Sequence, residues 1–301
     1  MNTSVNFAGI KMKNPVTVSA GTFGYGREYS NFFDLNKLGG IITEGTSLKP
    51  KSGNKPPRIC ETPSGVLSNV GLQNPGIEYF IENEFPFLKK FDTAIIVNVC
   101  GSSINDFIEV CKILDKIDID GIELNLACTD NENDGKLFGR SYESVRDITS
   151  KVRKVISKPL IIKLTPNVAD ITLSAKGAKD GGADGISLIN TILGMKIDIE
   201  KRKPILGANM GGLSGPAIRP IAVRMVYQVA KEVDIPILGM GGITNAEDAI
   251  EFMLAGANAI AIGSSNFANP YTSIETISGI EKYMEKHNIE NITEIVGKVT
   301  M

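Results

Sequence analysis

Pro236-Ile237-Leu238-Gly239-Met240-Gly241-Gly242-Ile243, followed by the helix-period segment Ala246–Ala255 and then by Ala259-Ile260-Ala261-Ile262-Gly263-Ser264, is the passage that decides the fold. Both flanking runs are short and apolar on both faces, the pattern of strands in a covered parallel sheet. The helical stretch between them opens at Asn245 and closes at Gly256, as capped helices do. Outward from this unit the same alternation fills the chain. Strands are predicted over Pro15–Ala20, Gly40–Gly45, Ala94–Cys100, Gly121–Cys128, Pro159–Pro166 and Gly185–Thr191, which with the two quoted runs makes eight. Helices are predicted over Ile104–Lys116, Tyr142–Ile156, Val168–Lys179, Ile218–Glu232 and Ala246–Ala255. Eight β/α units on about 300 residues predict an α/β fold of the (β/α)8 TIM-barrel type, with a doubly wound open sheet as the alternative.

Two stretches break the repeat: Lys49–Pro75, rich in Pro, Gly and Asn, and Ile192–Gly215. They follow the second and sixth strands, so both are expected as insertions over the C-terminal mouth of the barrel, where catalytic loops gather. No linker or low-complexity tract divides the chain, which reads as a single domain over residues 1–301. With 42% hydrophobic and 22% charged residues it has ample material for one large core. No run approaches the roughly 18 uninterrupted apolar residues of a membrane span. The N-terminus carries neither a signal-peptide apolar region nor an Arg-rich transit pattern, so a cytoplasmic protein without a membrane anchor is expected. A formal charge of −2 lacks the basic footprint of nucleic-acid binding. Cys60, Cys100, Cys111 and Cys128 form no Cys-x-x-Cys pair, so neither a disulfide framework nor a metal site is expected. The single histidine, His287, lies in the charged stretch Lys282–Asn288, which reads as a solvated helix face. Histidine acid–base catalysis is thereby nearly excluded.

The seventh strand ends in Gly239-Met240-Gly241-Gly242 and the eighth in Ile262-Gly263-Ser264-Ser265, the two places where such barrels commonly hold a phosphate on backbone N–H groups. Glycines there also serve tight βα turns, but two marked strand ends together point to a phosphate of substrate or cofactor. Lys163, in Ile161-Ile162-Lys163-Leu164-Thr165, is expected to point into the mouth, where an ammonium needs an anionic partner such as a reduced flavin. The alternative is a lysine that snorkels to solvent.

The motifs reached in this way resemble those of a known family. Gly21-Thr22-Phe23-Gly24-Tyr25-Gly26, Gly71-Leu72-Gln73-Asn74-Pro75-Gly76, Glu123-Leu124-Asn125, Lys163-Leu164-Thr165-Pro166-Asn167, Asn190-Thr191 with Gly194-Met195, and Gly211-Gly212-Leu213-Ser214-Gly215-Pro216-Ala217 resemble the dihydroorotate dehydrogenases. The likeness is greatest to the catalytic subunit of the heterodimeric class 1B, and runs from Phe7 to Val299. It implies an FMN-dependent oxidation of dihydroorotate to orotate in pyrimidine biosynthesis. FMN would lie on Ala20 and Gly21, Gly45 and Thr46, Asn98, Asn125, Lys163, Ile189 and Gly215, with its phosphate on Gly241, Gly242, Gly263 and Ser264. Substrate would be held by Asn125, Asn190, Thr191 and the segment Ser68-Asn69-Val70-Gly71-Leu72. Cys128 would be the base that takes the substrate C5 proton while flavin N5 takes a hydride from C6. A thiol with an ordinary pKa near 8.5 serves if the site lowers it. The alternative for Cys128 is a packed structural cysteine, which is how Cys60, Cys100 and Cys111 read. The resemblance also implies a homodimeric core and a partner subunit carrying FAD and an iron–sulfur cluster.

Three substrate positions depart from the family pattern. Glu44 stands where the family has a carboxylate-binding lysine, Ser68 where it has asparagine, and Asp130 where it has a third substrate asparagine. Glu44 turns an attraction for a carboxylate into a repulsion. Two enzymatic readings therefore stand side by side: a dihydroorotate dehydrogenase with a rearranged carboxylate site, where Lys136 or Arg140 restores positive charge, and a related FMN enzyme for a neutral or cationic dihydropyrimidine or activated alkene. A flavin-binding protein without turnover is disfavoured by the joint presence of Cys128, Asn125, Asn190 and Lys163. A tRNA dihydrouridine synthase is disfavoured by the lack of a basic face.

Overall fold

Eight parallel strands, β1 (Val16–Val18), β2 (Gly40–Ile42), β3 (Ala94–Val99), β4 (Gly121–Asn125), β5 (Leu160–Lys163), β6 (Gly185–Leu188), β7 (Ile237–Met240) and β8 (Ala259–Ile262), form a closed barrel in which each pairs with its chain neighbours and β8 returns to β1. The structure, a computed structural model, describes residues 1–127, 129–130 and 136–300. Apart from Asn125 at the end of β4, every strand residue is buried, which is why these segments read as apolar on both faces.

Among the described residues six longer helices wrap the barrel: α1 (Ile104–Leu114), α2 (Tyr142–Arg153), α3 (Ile171–Asp180), α4 (Arg219–Glu232), α5 (Ala246–Ala255) and α6 (Thr272–His287). On α1 the buried residues Phe107, Val110, Cys111 and Leu114 fall on one stripe, and the Ser103 hydroxyl caps the first turn by accepting from Asp106 N. Asp170 caps α3 in the same way, so that helix begins at Ile171 and not at the expected Val168. The expected alternation fails in the β1–β2 connection, which holds only 3-10 turns at Tyr29–Asn31 and Leu35–Lys37. Phe23 stacks on Tyr29 at 4.1 Å and gathers that segment into a compact loop instead.

The two insertions meet. The hairpin Ile59–Thr62 and Gly65–Ser68 pairs through Gly65–Ser68 with Met210–Ser214, which pairs with Ile192–Met195, giving one four-stranded antiparallel sheet over the mouth. At the opposite end the hairpin Val5–Phe7 and Ile10–Met12 closes the barrel floor. A Cβ on Gly121 would lie 2.6 Å from Ile10 Cδ1, so a larger residue at the start of β4 would have to displace the Ile10 side chain of that hairpin. Among the described residues no helix is long and apolar enough to cross a membrane.

Candidate active site

Under the mouth sheet the barrel opens into a cavity of about 1510 Å³. That exceeds the roughly 300–1,000 Å³ of a typical small-molecule site and leaves room for two ligands together.

At the base of the cavity the register sets Asn98 opposite Glu123, and Lys163 beside both Asn125 and Ser187. Glu123 is fully buried. Its Oε1 accepts from Ser187 Oγ at 2.6 Å, its Oε2 accepts from Asn98 Nδ2, and Lys163 Nζ stands 3.8 Å from Oε2. A buried carboxylate is tolerated only with such partners. Lys163 reaches the cavity wall while its side chain is 6% exposed. Among the described residues no hydrogen bond occupies its three donors, so the ammonium is free to meet an anion. Asn98 Oδ1 is likewise buried without a hydrogen-bond partner among the described residues. The sequence motif Glu123-Leu124-Asn125 assigns Glu123 no role. The signal was present, because an acidic residue inside the otherwise apolar Gly121-Ile122-Glu123-Leu124 needs a counter-charge.

Glu44 follows β2 and also lines the cavity. Its Oε1 accepts from Gly45 N at 3.1 Å. Burial holds its carboxyl above the usual range, opposed by the Gly45 and Gly21 N–H groups and by the Lys163 charge. Ala20, Gly21 and Gly45 share this wall, but Thr46 does not. Thr46 is fully buried behind it, with its N–H donating to Asn98 O and its hydroxyl to Glu44 O, because a bridge to Val99 extends the strand pairing through it.

Above the floor, Asn190 Nδ2 donates to Asn125 Oδ1 at 3.1 Å, and Asn190 Oδ1 accepts from Thr191 N at 2.7 Å. Asn167 Nδ2 donates to Thr191 O at 3.0 Å, so the ends of β4, β5 and β6 hold one another. The segment from Ser68 to Leu72 forms the facing wall, tied to the mouth sheet by Asn69 Nδ2 donating to Met210 O at 2.8 Å. Ile189, Gly215, Gly241, Gly242, Gly263 and Ser264 line the far end. Gly242 has φ +81°, and a Cβ there would lie 2.8 Å from Gly215 O and 2.9 Å from Arg219 Cβ. Only glycine brings β7 this close to the start of α4. Among the described residues the N–H groups of Gly242, Gly263 and Ser264 meet no protein acceptor, which makes this end a ready anion cradle.

The structure thus brings to one cavity the expected residues whose side chains it describes, Thr46 excepted. Cys128 lies outside the described residues, and Asp130 is described only as the backbone partner of Lys136. Cys100 and Cys111 are buried, whereas Cys60 is half-buried on the mouth sheet and not in the core. His287 is exposed on α6 beside the Tyr283 ring. No group of three metal-ligating side chains occurs among the described residues.

A family model described as dihydroorotate dehydrogenase matches residues 2–284. The chain is 54% identical over 299 residues to the dihydroorotate dehydrogenase B (NAD(+)), catalytic subunit, of Thermoanaerobacter pseudethanolicus, with 99% of each chain covered. It is 55% identical over 298 residues to the like-named protein of Alkaliphilus oremlandii, covering 99% of each, and 53% identical over 301 residues to that of Caldicellulosiruptor bescii, covering 100% of each.

Proposed function

The chain belongs to the dihydroorotate dehydrogenase family, and from that premise we propose that it is an FMN-dependent catalytic subunit that oxidises dihydroorotate to orotate in pyrimidine biosynthesis. The observation that carries the proposal is the polar floor of the barrel. There a buried ammonium and Asn98 Oδ1, neither with a hydrogen-bond partner among the described residues, face a cavity whose far end is an anion cradle. These groups fit FMN: Lys163 would suit the electron-rich edge of the ring system, Asn98 Oδ1 would accept from a ring N–H, and Gly241, Gly242, Gly263 and Ser264 would hold the phosphate.

FMN, when bound, supplies the acceptor for the hydride that leaves the substrate. The chain supplies position and proton transfer. Asn125 and Asn190, already locked to each other, present amide groups to a pyrimidine edge, and the wall from Ser68 to Leu72 closes over it. Cys128 accepts the proton from the substrate carbon on its Sγ. The mouth sheet limits water entry, which strengthens each charge contact inside.

We place the protein in the cytoplasm as a single domain, within a homodimeric core that passes electrons to a partner subunit carrying FAD and an iron–sulfur cluster. Support for a partner is that the relatives are named catalytic subunits of NAD(+)-linked enzymes. The test is anaerobic addition of dihydroorotate to the purified yellow protein. The flavin absorbance is expected to bleach, and a flavin that stays oxidised at every pH contradicts the proposal.

A further inference from the structure

Glu44 follows β2, and the structure sets it half-buried in the wall of the substrate cavity, with its Oε1 accepting from Gly45 N. Among the described residues its surroundings are short of positive charge. Lys163 faces it from β5, and Lys163 already stands 3.8 Å from the fully buried Glu123 of β4. Tyr25 faces it from the β1–β2 connection, with Glu84 and Cys100 acting on Tyr25 in turn. The other described cation on the cavity wall, Lys51, donates to Ser102 Oγ at 3.0 Å. Among the described residues one ammonium therefore serves two carboxyls before any ligand enters, and a carboxylated substrate brings a third. Carboxylates crowded around one ammonium do not all stay ionised.

We propose that Glu44 is a specificity-determining residue that admits a carboxylated dihydropyrimidine only as the neutral acid, donating a hydrogen bond to the substrate carboxylate, so that one proton is taken up from solvent with each anion bound. This rests on the dihydroorotate reading of the site. Burial already favours the neutral form of Glu44, and a bound anion favours it further. Anion affinity is thus greatest at low pH. It falls as pH rises from the pKa of Glu44 in the free protein towards its higher value in the complex, by about tenfold per unit.

The experiment is calorimetric titration of the FMN-loaded protein with orotate, and with uracil as the uncharged comparator. It is run at about pH 6 and about pH 8, in buffers of different ionisation enthalpy, so that the proton linkage is read directly. Orotate is expected to bind more weakly at the higher pH with proton uptake approaching one, while uracil shows neither effect. Glu44→Gln, checked for folding by retained flavin absorbance, is expected to bind orotate without pH dependence or proton uptake. Equal orotate affinity at both pH values without proton uptake by the wild type overturns the role of Glu44 and leaves the dihydroorotate reading intact. If orotate fails to bind at either pH while uracil binds, the dihydroorotate reading itself is overturned, and this proposal with it.

Discussion

Lys163 and Glu123 make each other's burial tolerable, and their pairing separates two roles that one substitution would confound. Lys163→Ala leaves Glu123 as a buried carboxylate without its cation, and is expected to cost about 3–5 kcal/mol of stability as well as flavin retention. Removing both charges, as Lys163→Met with Glu123→Gln, is expected to recover most of the folding stability in urea titrations and none of the flavin. A double variant as unstable as the single one contradicts this account of the floor. Cys128 is tested differently. Cys128→Ala is expected to keep bound FMN, seen in its absorbance, and to lose roughly 10²–10⁴-fold in turnover, the contribution of a positioned base. Unchanged turnover would return Cys128 to a packing role.

The anion cradle depends on how two helices meet. Asp248, buried on α5, accepts from Thr244 N at 2.8 Å and Thr244 Oγ1 at 2.6 Å, and from Arg219 Nη1 at the start of α4. Gly242 lies between these anchors, against Arg219. Asp248→Ala leaves Thr244 without its acceptor and Arg219 with Glu251 as its remaining carboxylate, and is expected to destabilise by about 1–3 kcal/mol. Because the lost contacts hold the loop after β7, FMN content should fall by more than the stability loss alone produces. Comparing flavin occupancy with that of an equally destabilised core variant, such as Val226→Ala on α4, checks this. Equal occupancy in the two contradicts the link between Asp248 and the cradle.

Across the whole molecule, the cavity joins the ends of all eight strands, so a ligand that fills it stabilises the barrel as a unit. Ligand bound only by the native state adds about 2.7 kcal/mol when present at a hundred times its dissociation constant. Thermal unfolding of the flavin-stripped protein is therefore expected as one transition that moves upward with added FMN. Two transitions, only one of them responding to FMN, would contradict the single-domain reading.

The eight strands and the glycine-marked ends of β7 and β8 were legible in the sequence because burial on both faces leaves unbroken apolar runs, and a close backbone approach leaves glycine. Lys163 was legible as a charge that burial makes costly without a partner. The missing helix between β1 and β2 was not, because the packing of Phe23 on Tyr29 decides it and no local period records that contact. Nor was the union of Lys49–Pro75 with Ile192–Gly215 into one mouth sheet, since antiparallel pairing between distant segments leaves no mark in either. Glu123 was visible as a residue and invisible as a partner, because the barrel register, not the chain, brings Asn98, Ser187 and Lys163 to it. Residue type and period are properties of the chain and fixed the barrel. Which charges share one poorly hydrated space is a property of closure, and only the tertiary structure decided it.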